Sequence, residues 1–384
     1  VTASTAHPGA APFSAIDHAC MAEALRLAAR GLWSTDPNPR VGCVVVRDGK
    51  IVGRGWHQRA GGPHAETFAL REAGERARGG SAYVTLEPCA HHGRTPPCAD
   101  ALIGAGVERV VVAAHDPFPQ VDGQGSARLR AAGIRVEHGL LEAAARELNL
   151  GFFSRIERGR PWLRLKLACS LDGRTALANG ESKWITGAAA RADVQRWRAR
   201  SGAILTGAAS VRADDPQLTA RVDADCAAPV RVVVCGSGGV PIGARMLSDG
   251  LAPVWLAGPS GTLPDLPGCE RIELPAAGRG VDLDALLAEL AAREINELQV
   301  ECGARLAGAL LRAGLVDELL LYVAPCVLGS GARPLFDDID LTAMLQRYRY
   351  RSVEQRMLGE DLRWRLRPLA AASPETEETP CLPD

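Results

Sequence analysis

The stretch TLEPCAHHGRTPPC, Thr85–Cys98, carries two cysteines and two histidines and sets two prolines immediately before the second cysteine. Upstream lies GGPHAETFALREAG, which predicts a helix from about His64. Residues two apart on a helix do not share a face, so His64 and Glu66 divide into one ligand and one neighbouring acid. Cys89 follows the predicted strand SAYVTLEP, and Cys98 opens the predicted helix CADALIGAG. A helix N-terminus favours thiolate, the form that binds zinc. Three protein ligands, His64, Cys89 and Cys98, leave the fourth position of a tetrahedral zinc open for water, the arrangement of a catalytic site. Zinc brings the pKa of such a water to about 7, and Glu66 is suited to carry its proton to a leaving amine. The alternatives are a closed structural site with His91 or His92 as fourth ligand, and a disulfide.

An H-x-E followed by P-C…C matches the signature of zinc deaminases, in which hydroxide attacks an amidine-like ring carbon and ammonia leaves. Eight residues separate the cysteines instead of two, so the insert AHHGRTPP loops out with His91, His92 and Arg94 beside the metal.

The chain as a whole suits a two-domain enzyme. Its 384 residues exceed one ordinary core. Hydrophobic residues at 47% and charged residues at 23% give the balance of a folded globular protein. Formal net charge is −1 with no basic run interleaved with aromatics, which counts against nucleic acid as a partner. Eleven irregularly spaced cysteines argue against a secreted disulfide framework and for a cytoplasmic setting. No stretch has the roughly 18 apolar residues of a bilayer span, and the opening VTASTAHPGAAPFSAID has no signal-peptide pattern, so neither export nor membrane insertion is expected.

In the first half a helix runs from about Asp17 to Arg30 behind Ser14, and VGCVVVRDGKIVGRGW reads as a hairpin turning at Asp48 and Gly49. Strands at VERVVVAAHD and IRVEHG enclose a helix at GSARLRAAG, an α/β layered pattern. GFFSRIERGRPW closes this unit near Arg158, and LRLKLACSLDG opens a second βα series. That series has strands at AILTGA, PVRVVVCG, APVWLAG, ELQVECG, ELLLYVAP and DLRWRLRPL, with helices at about 188–201, 284–293 and 304–313. The acidic, proline-containing tail 371–384 reads as disordered.

A dinucleotide fingerprint beginning at Gly236 fails, because Pro241 stands at its third glycine. LQVECGARLAGALL is the better phosphate cradle: a strand ending in Glu301, a turn at Gly303, and a helix whose free first-turn amides favour a pyrophosphate. Lys50, Lys166 and Lys183 are the only lysines, and Lys166 interrupts an apolar strand, where it would hold substrate or its phosphate. Arg198 and Arg221 offer guanidinium forks to phosphate. Asp172 before Gly173 reads as a turn residue, and no residue stands out as proton donor for a reduction.

The segments NPRVG, GWHQRAGGPHAE, TLEPCAHHGRTPPC and DPFPQVDGQG resemble the bifunctional pyrimidine deaminase/reductase family of riboflavin biosynthesis. So do KLACSLDGRTA, GESKWITG, LTGAASVRADDPQLTAR, VECGARLAGALL and VDELLLYVAPCVLG. The resemblance spans about 15–369. It implies a cytidine-deaminase-like three-layer α/β/α domain over 15–158 and a dihydrofolate-reductase-like α/β domain over 159–370. It further implies a diaminopyrimidinone substrate bearing a phosphoribosylamino group, deaminated at one zinc per deaminase domain, then reduced by NADPH from ribosyl to ribityl. A homo-oligomer, dimer or tetramer, is the family's habit. Matching positions put Asn38, His57 and Arg94 around the deaminase substrate. Cofactor contacts would be Ala168, Trp184, Ser210, Asp214 and Gly236, with the run Gly303, Ala304, Arg305, Leu306, Ala307, Gly308 and Ala309. Reductase substrate contacts would be Ser182, Arg198, Leu218, Arg221 and Glu301. Cys235 stands where relatives commonly have Asp.

Overall fold

The computed structural model describes residues 13–90, 97–119, 121–236, 239–278 and 280–369. The chain divides into two compact units between Arg158 and Gly159.

The first unit opens on α1 (Ala15–Ala28), two residues earlier than the apolar pattern suggests, because Ser14 caps it. Ser14 Oγ accepts from the Asp17 amide at 3.1 Å while the Asp17 carboxylate accepts from the Ser14 amide at 2.8 Å, a reciprocal capping box. The hairpin of β1 (Gly42–Arg47) and β2 (Lys50–Trp56) turns through Asp48 and Gly49, both at positive φ of 49° and 71°, the conformation a two-residue hairpin loop needs. Then follow α2 (Ala65–Ala73), β3 (Ser81–Leu86), α3 (Cys98–Ala105), β4 (Arg109–Ala114), α4 (Gln124–Ala131), β5 (Arg135–His138), α5 (Glu142–Leu148) and α6 (Leu150–Arg158). Sheet order is β2-β1-β3-β4-β5; β1 runs antiparallel to β2 and β3, while β3, β4 and β5 are parallel.

Successive side chains of a strand face opposite sides, and here both sides are covered. Val44, Val46 and Val111 pack with Met21, Ala24, Phe152 and Phe153, whereas Cys43, Val45, Val110 and Val112 pack with Ala65, Ala69, Leu102 and Leu129. The unit is therefore a three-layer α/β/α sandwich. Helix α2 touches β2 backbone to backbone: a Cβ on Gly55 would lie 2.1 Å from the Ala65 carbonyl oxygen, and one on Gly53 2.1 Å from that of Ala69. Those two glycines set how far His64, at the start of α2, stands from the sheet.

The second unit contains β6 (Trp162–Ser170), β7 (Arg174–Ala176), α7 (Ala188–Arg200), β8 (Ala203–Gly207), α8 (Ala208–Asp214), β9 (Val230–Val234), β10 (Val254–Pro259) and β11 (Cys269–Leu274). It continues with β12 (Ala276–Ala277), β13 (Gly280–Val281), α9 (Leu283–Ala292), β14 (Glu297–Val300), α10 (Ala304–Arg312), β15 (Glu318–Ala324), β16 (Arg333–Pro334), β17 (Tyr350–Leu358) and β18 (Asp361–Pro368). The main sheet is ordered β11-β10-β9-β8-β14-β6-β15-β18-β17. Its strands run parallel except for the antiparallel β18 and β17. Because the parallel strands share one direction, the carboxyl ends of β6, β8, β14 and β15 open on the same edge, where ligands bind in such sheets.

Arg164 on β6 is fully buried and reaches Glu318 on β15 at 2.8 Å and Glu297 on β14 at 3.1 Å. Burial pushes the Glu318 carboxyl up, but Arg164 and Arg365 beside it outweigh this and lower it from 4.5 to about 2. A lowered folded-state pKa gives stability that is complete above the unfolded value and lost as pH falls through the folded one. Urea unfolding of the second unit should accordingly lose Glu318's contribution between about pH 4.5 and about pH 2 and show no change from this group above that range. In the first unit, Gly55→Ala should cost about 1–3 kcal/mol in the same measurement, since backbone cannot yield to the added methyl.

Candidate functional site

His64 occupies the N-cap of α2 with extended backbone and makes no side-chain cap, which frees its ring to face the cysteines. Its Nδ1 lies 3.2 Å from Cys98 Sγ and 3.5 Å from Cys89 Sγ. Zinc bonds of about 2.0 Å to nitrogen and about 2.3 Å to sulfur in a tetrahedron require N···S separations of about 3.5 Å. Cys98 is the first residue of α3, and its amide donates to Cys89 Sγ at 3.3 Å. All three ligand atoms lie within 4.8 Å of one another, and among the described residues they form the one such cluster. Val121 and Phe118 pack over the two thiols. His91, His92 and Arg94 lie outside the described residues, and with them the alternative of a histidine as fourth ligand.

Charge supports a cation here. The Cys98 thiol, together with His64, holds Cys89 down at about 4, while Cys98 is pushed far up because its thiolate would stand beside another anion. Hydrogen bonding to Cys89 raises the His64 imidazole. Only one thiolate is thus comfortable until a divalent ion joins them, and the donor set of one imidazole and two thiolates is one that zinc favours.

Glu66, one helical residue beyond Ala65, is 3% exposed, and its Oε2 is buried without a hydrogen-bond partner. Burial raises its carboxyl, against the pull of His64. An orphaned carboxylate oxygen beside a metal cluster is a group waiting for a ligand. His57 is 2% exposed. Its Nδ1–H donates to the Pro63 carbonyl at 3.0 Å, which leaves Nε2 to accept from Asn38 Nδ2 at 3.2 Å. Burial pushes the imidazole down, favouring the neutral ring. The His57 and His64 rings meet edge to face at 5.7 Å, so Asn38, His57 and the metal cluster share one place.

In the second unit Glu301 follows the end of β14 and accepts from Arg198 Nε at 2.6 Å, Arg198 Nη2 at 2.8 Å and Gln299 Nε2 at 2.8 Å. Burial raises the Glu301 carboxyl, yet Arg198 and Lys166 outweigh it and hold it at about 2. Burial also pushes Lys166 down, opposed by Glu301. Lys166, Arg198 and Glu301 therefore form one charged group. The expected phosphate fork of Arg198 is spent here: it closes on Glu301, and its Nη1 donates to the Thr219 carbonyl at 3.1 Å. Arg221 stays at the surface with one side-chain bond to Thr219 Oγ1 at 3.2 Å. The Leu218 side chain is 3% exposed in the core, so this position can offer a ligand only its backbone, which sits at φ 50°. Ser182 and Trp184 precede α7; Trp184 is 70% exposed and the Arg191 guanidinium lies 4.5 Å from its ring centre.

The cradle at Gly303 is uncapped by any side chain, as is the start of α8 at Gly207. A Cβ on Gly303 would meet Ser210 Oγ at 3.9 Å, so the two helix starts lie close together. That arrangement fits a pyrophosphate. Within the run, Ala304, Arg305 and Leu306 supply first-turn amides. Ala307 and Gly308 turn inward: Ala307 is wholly buried, and a Cβ on Gly308 would lie 2.0 Å from the Asp337 carbonyl oxygen. Ala309 follows them on the helix, Ala168 lies within β6, Asp214 ends α8 and Gly236 follows β9. Asp172 lies in the turn after β6 as read, and its carboxylate also accepts from the amides of Leu328 at 3.1 Å and Gly329 at 2.8 Å, tying the segment after β15 to the end of β6. Leu328 and Gly329 lie 156 and 157 residues along the chain from Asp172, too far to be seen in sequence.

A layered α/β unit with a His-Cys-Cys centre, followed by a largely parallel sheet with uncapped helix starts at the carboxyl ends of its strands, defines the class of zinc deaminases joined to a reductase. Residues 14–114 match the cytidine and deoxycytidylate deaminase zinc-binding region, and residues 161–363 match the RibD C-terminal domain. The chain is 50% identical to the riboflavin biosynthesis protein RibD of Escherichia coli (strain K12), covering 90% of this chain and 98% of that one. It is 47% identical to that of Haemophilus influenzae, over 91% and 97%. Among solved structures, Acinetobacter baumannii RibD superposes with a TM-score of 0.86 at 47% identity, covering 92% and 99%. A Thermotoga maritima diaminohydroxyphosphoribosylaminopyrimidine deaminase/5-amino-6-(5-phosphoribosylamino)uracil reductase gives 0.83 at 32%, over 92% and 99%. The chain belongs to the RibD family, and it carries that family's deaminase and reductase steps of riboflavin biosynthesis. No helix among the described residues is long and apolar enough to cross a membrane.

Cys98→Ala removes one of three ligands, and metal analysis of the purified variant should find zinc lost relative to an equimolar wild-type sample.

Proposed function

We propose that the first unit replaces the ring amino group of a phosphoribosylated diaminopyrimidinone by water, and that the second reduces the ribosyl group of the product to ribityl with NADPH. The observation that carries this is the convergence of His64, Cys89 and Cys98 beside the unbonded oxygen of Glu66. Zinc held by those three residues supplies Lewis acidity, making a water acidic enough to attack at neutral pH. Glu66 takes the water's proton on its free oxygen and delivers it to the departing amine, so water's oxygen bonds to the ring carbon as ammonia leaves. Its raised carboxyl suits a group that must hold and release a proton. Neutral His57, oriented by the Pro63 carbonyl, and Asn38, whose Oδ1 is left for substrate, position the ring; Arg94 is assigned to the same site.

In the second unit NADPH supplies hydride, which no side chain can. The first-turn amides of α10, with Ser210, Asp214, Gly236, Ala168 and Trp184 around them, bind it. Arg221 is the residue left to meet the substrate phosphate, with Ser182 and the Leu218 backbone beside it. Lys166, whose charge Glu301 favours against burial and the nearby Arg198, faces the opened ribose. The test is a coupled assay: ammonia release from the diaminopyrimidine nucleotide, then NADPH oxidation that begins only after deamination. NADPH oxidation without prior deamination contradicts the assigned order.

Glu66→Gln should retain zinc and lose about 10²–10⁴-fold in ammonia release, since only the proton carrier is gone. The same variant should reduce supplied deaminated intermediate at the wild-type rate.

A further inference from the structure

Phe118, Val121 and the start of α4 have no part in the chemistry above, yet they pack against the turn that carries Cys89. Three contacts converge there. The Glu87 carboxylate, wholly buried, accepts from the amides of Gly123 at 3.2 Å and Ser126 at 2.9 Å. The Pro88 carbonyl presses on Gly125 so closely that a Cβ there would lie 1.8 Å from its oxygen. Arg128 donates to the Ala90 carbonyl at 3.3 Å. Residues on both sides of Cys89 are thereby fastened to α4, and the Cys89 carbonyl itself accepts from the Ala99 amide at 3.1 Å. A carboxylate is the acceptor that suits amides at a helix start, where backbone donors lack partners and the helix is positive.

We propose that Glu87 is a positioning residue for the zinc: by anchoring the Pro88–Cys89 turn to the first amides of α4, it fixes where the Cys89 sulfur stands. Glu87 is outside the ligand cluster and acts through Cys89 alone. The inference rests on the reading of His64, Cys89 and Cys98 as the deaminase metal centre. Groups that orient metal ligands are commonly worth about 10–100-fold in affinity.

The test uses the full chain. Zinc affinity is measured by competition with a chromophoric chelator, and the Co²⁺-substituted protein is read through its thiolate-to-cobalt charge-transfer and d–d bands. Those bands report sulfur geometry, which a uniform loss of stability in still-folded protein leaves unmoved. Glu87→Gln offers one acceptor oxygen in place of two and should bind zinc about tenfold more weakly with shifted cobalt bands; Glu87→Ala should approach about 100-fold. Folded Glu87→Gln with wild-type affinity and spectrum overturns the proposal. Should Glu87→Ala fail to fold, Gly125→Ala keeps Glu87 and displaces the Pro88 carbonyl, and wild-type zinc affinity in that folded variant overturns it equally. All variants should oxidise NADPH normally with supplied deaminated intermediate. Wild-type protein that binds no zinc and releases no ammonia refutes the metal centre itself, a failure distinct from either variant's.

Discussion

Two sulfurs and an imidazole nitrogen held within 4.8 Å, beside a buried carboxylate, are a constraint the first unit cannot satisfy by itself. Two like charges about 4 Å apart repel by about 4 kcal/mol even at an effective dielectric of 20. The backbone nevertheless forces the approach. Helix α2 lies against β2 where two glycines permit it, α3 begins on a cysteine, and the strand β3 delivers the other cysteine through a proline turn. The rigid sandwich holds its donors in register for an ion, so binding needs little rearrangement of ligands.

The second unit answers a similar difficulty with side chains of its own. Glu301 is an anion at the mouth of a parallel sheet, and Arg198 and Lys166 keep it ionised. In return Glu301 aims Arg198 and keeps a charged lysine tolerable in a half-buried place. The charged group thus sits at a strand end, which a well-packed core holds steady.

What could be read from the sequence follows from how local the determinants are. Ser14 with Asp17, and Asp48 with Gly49, are complete signals within four residues; the hairpin turns where expected, and α1 begins two residues before the expected start. Helices α5 and α6 were not anticipated: α5 begins behind Leu141 in a left-handed conformation without a polar cap, and α6 follows it after one residue. Strands β11 and β17 lie at the two edges of the large sheet and are largely exposed, so their apolar alternation is faint. Within the candidate site, His64, Glu66, Cys89 and Cys98 were legible because metal chemistry restricts residue type and spacing together. The pairing of Arg198 with Glu301 was not, since 103 residues separate them and an arginine-rich chain offers many partners. Nor did any residue type announce that Gly308 serves the close approach of Asp337.

Arg164 has one further meaning. It lies on β6 between Glu297 of β14 and Glu318 of β15, and Arg200, Arg365 and Arg367 complete the two carboxylates from α7 and β18. Apolar strands rich in leucine and valine are nearly interchangeable in pairing and could slide past one another at small cost. A slip of one position would strand a buried carboxylate without its cation, at a cost of several kcal/mol. Neighbour choice and alignment in the middle of this sheet are thus written in charge, and grease alone would leave them ambiguous.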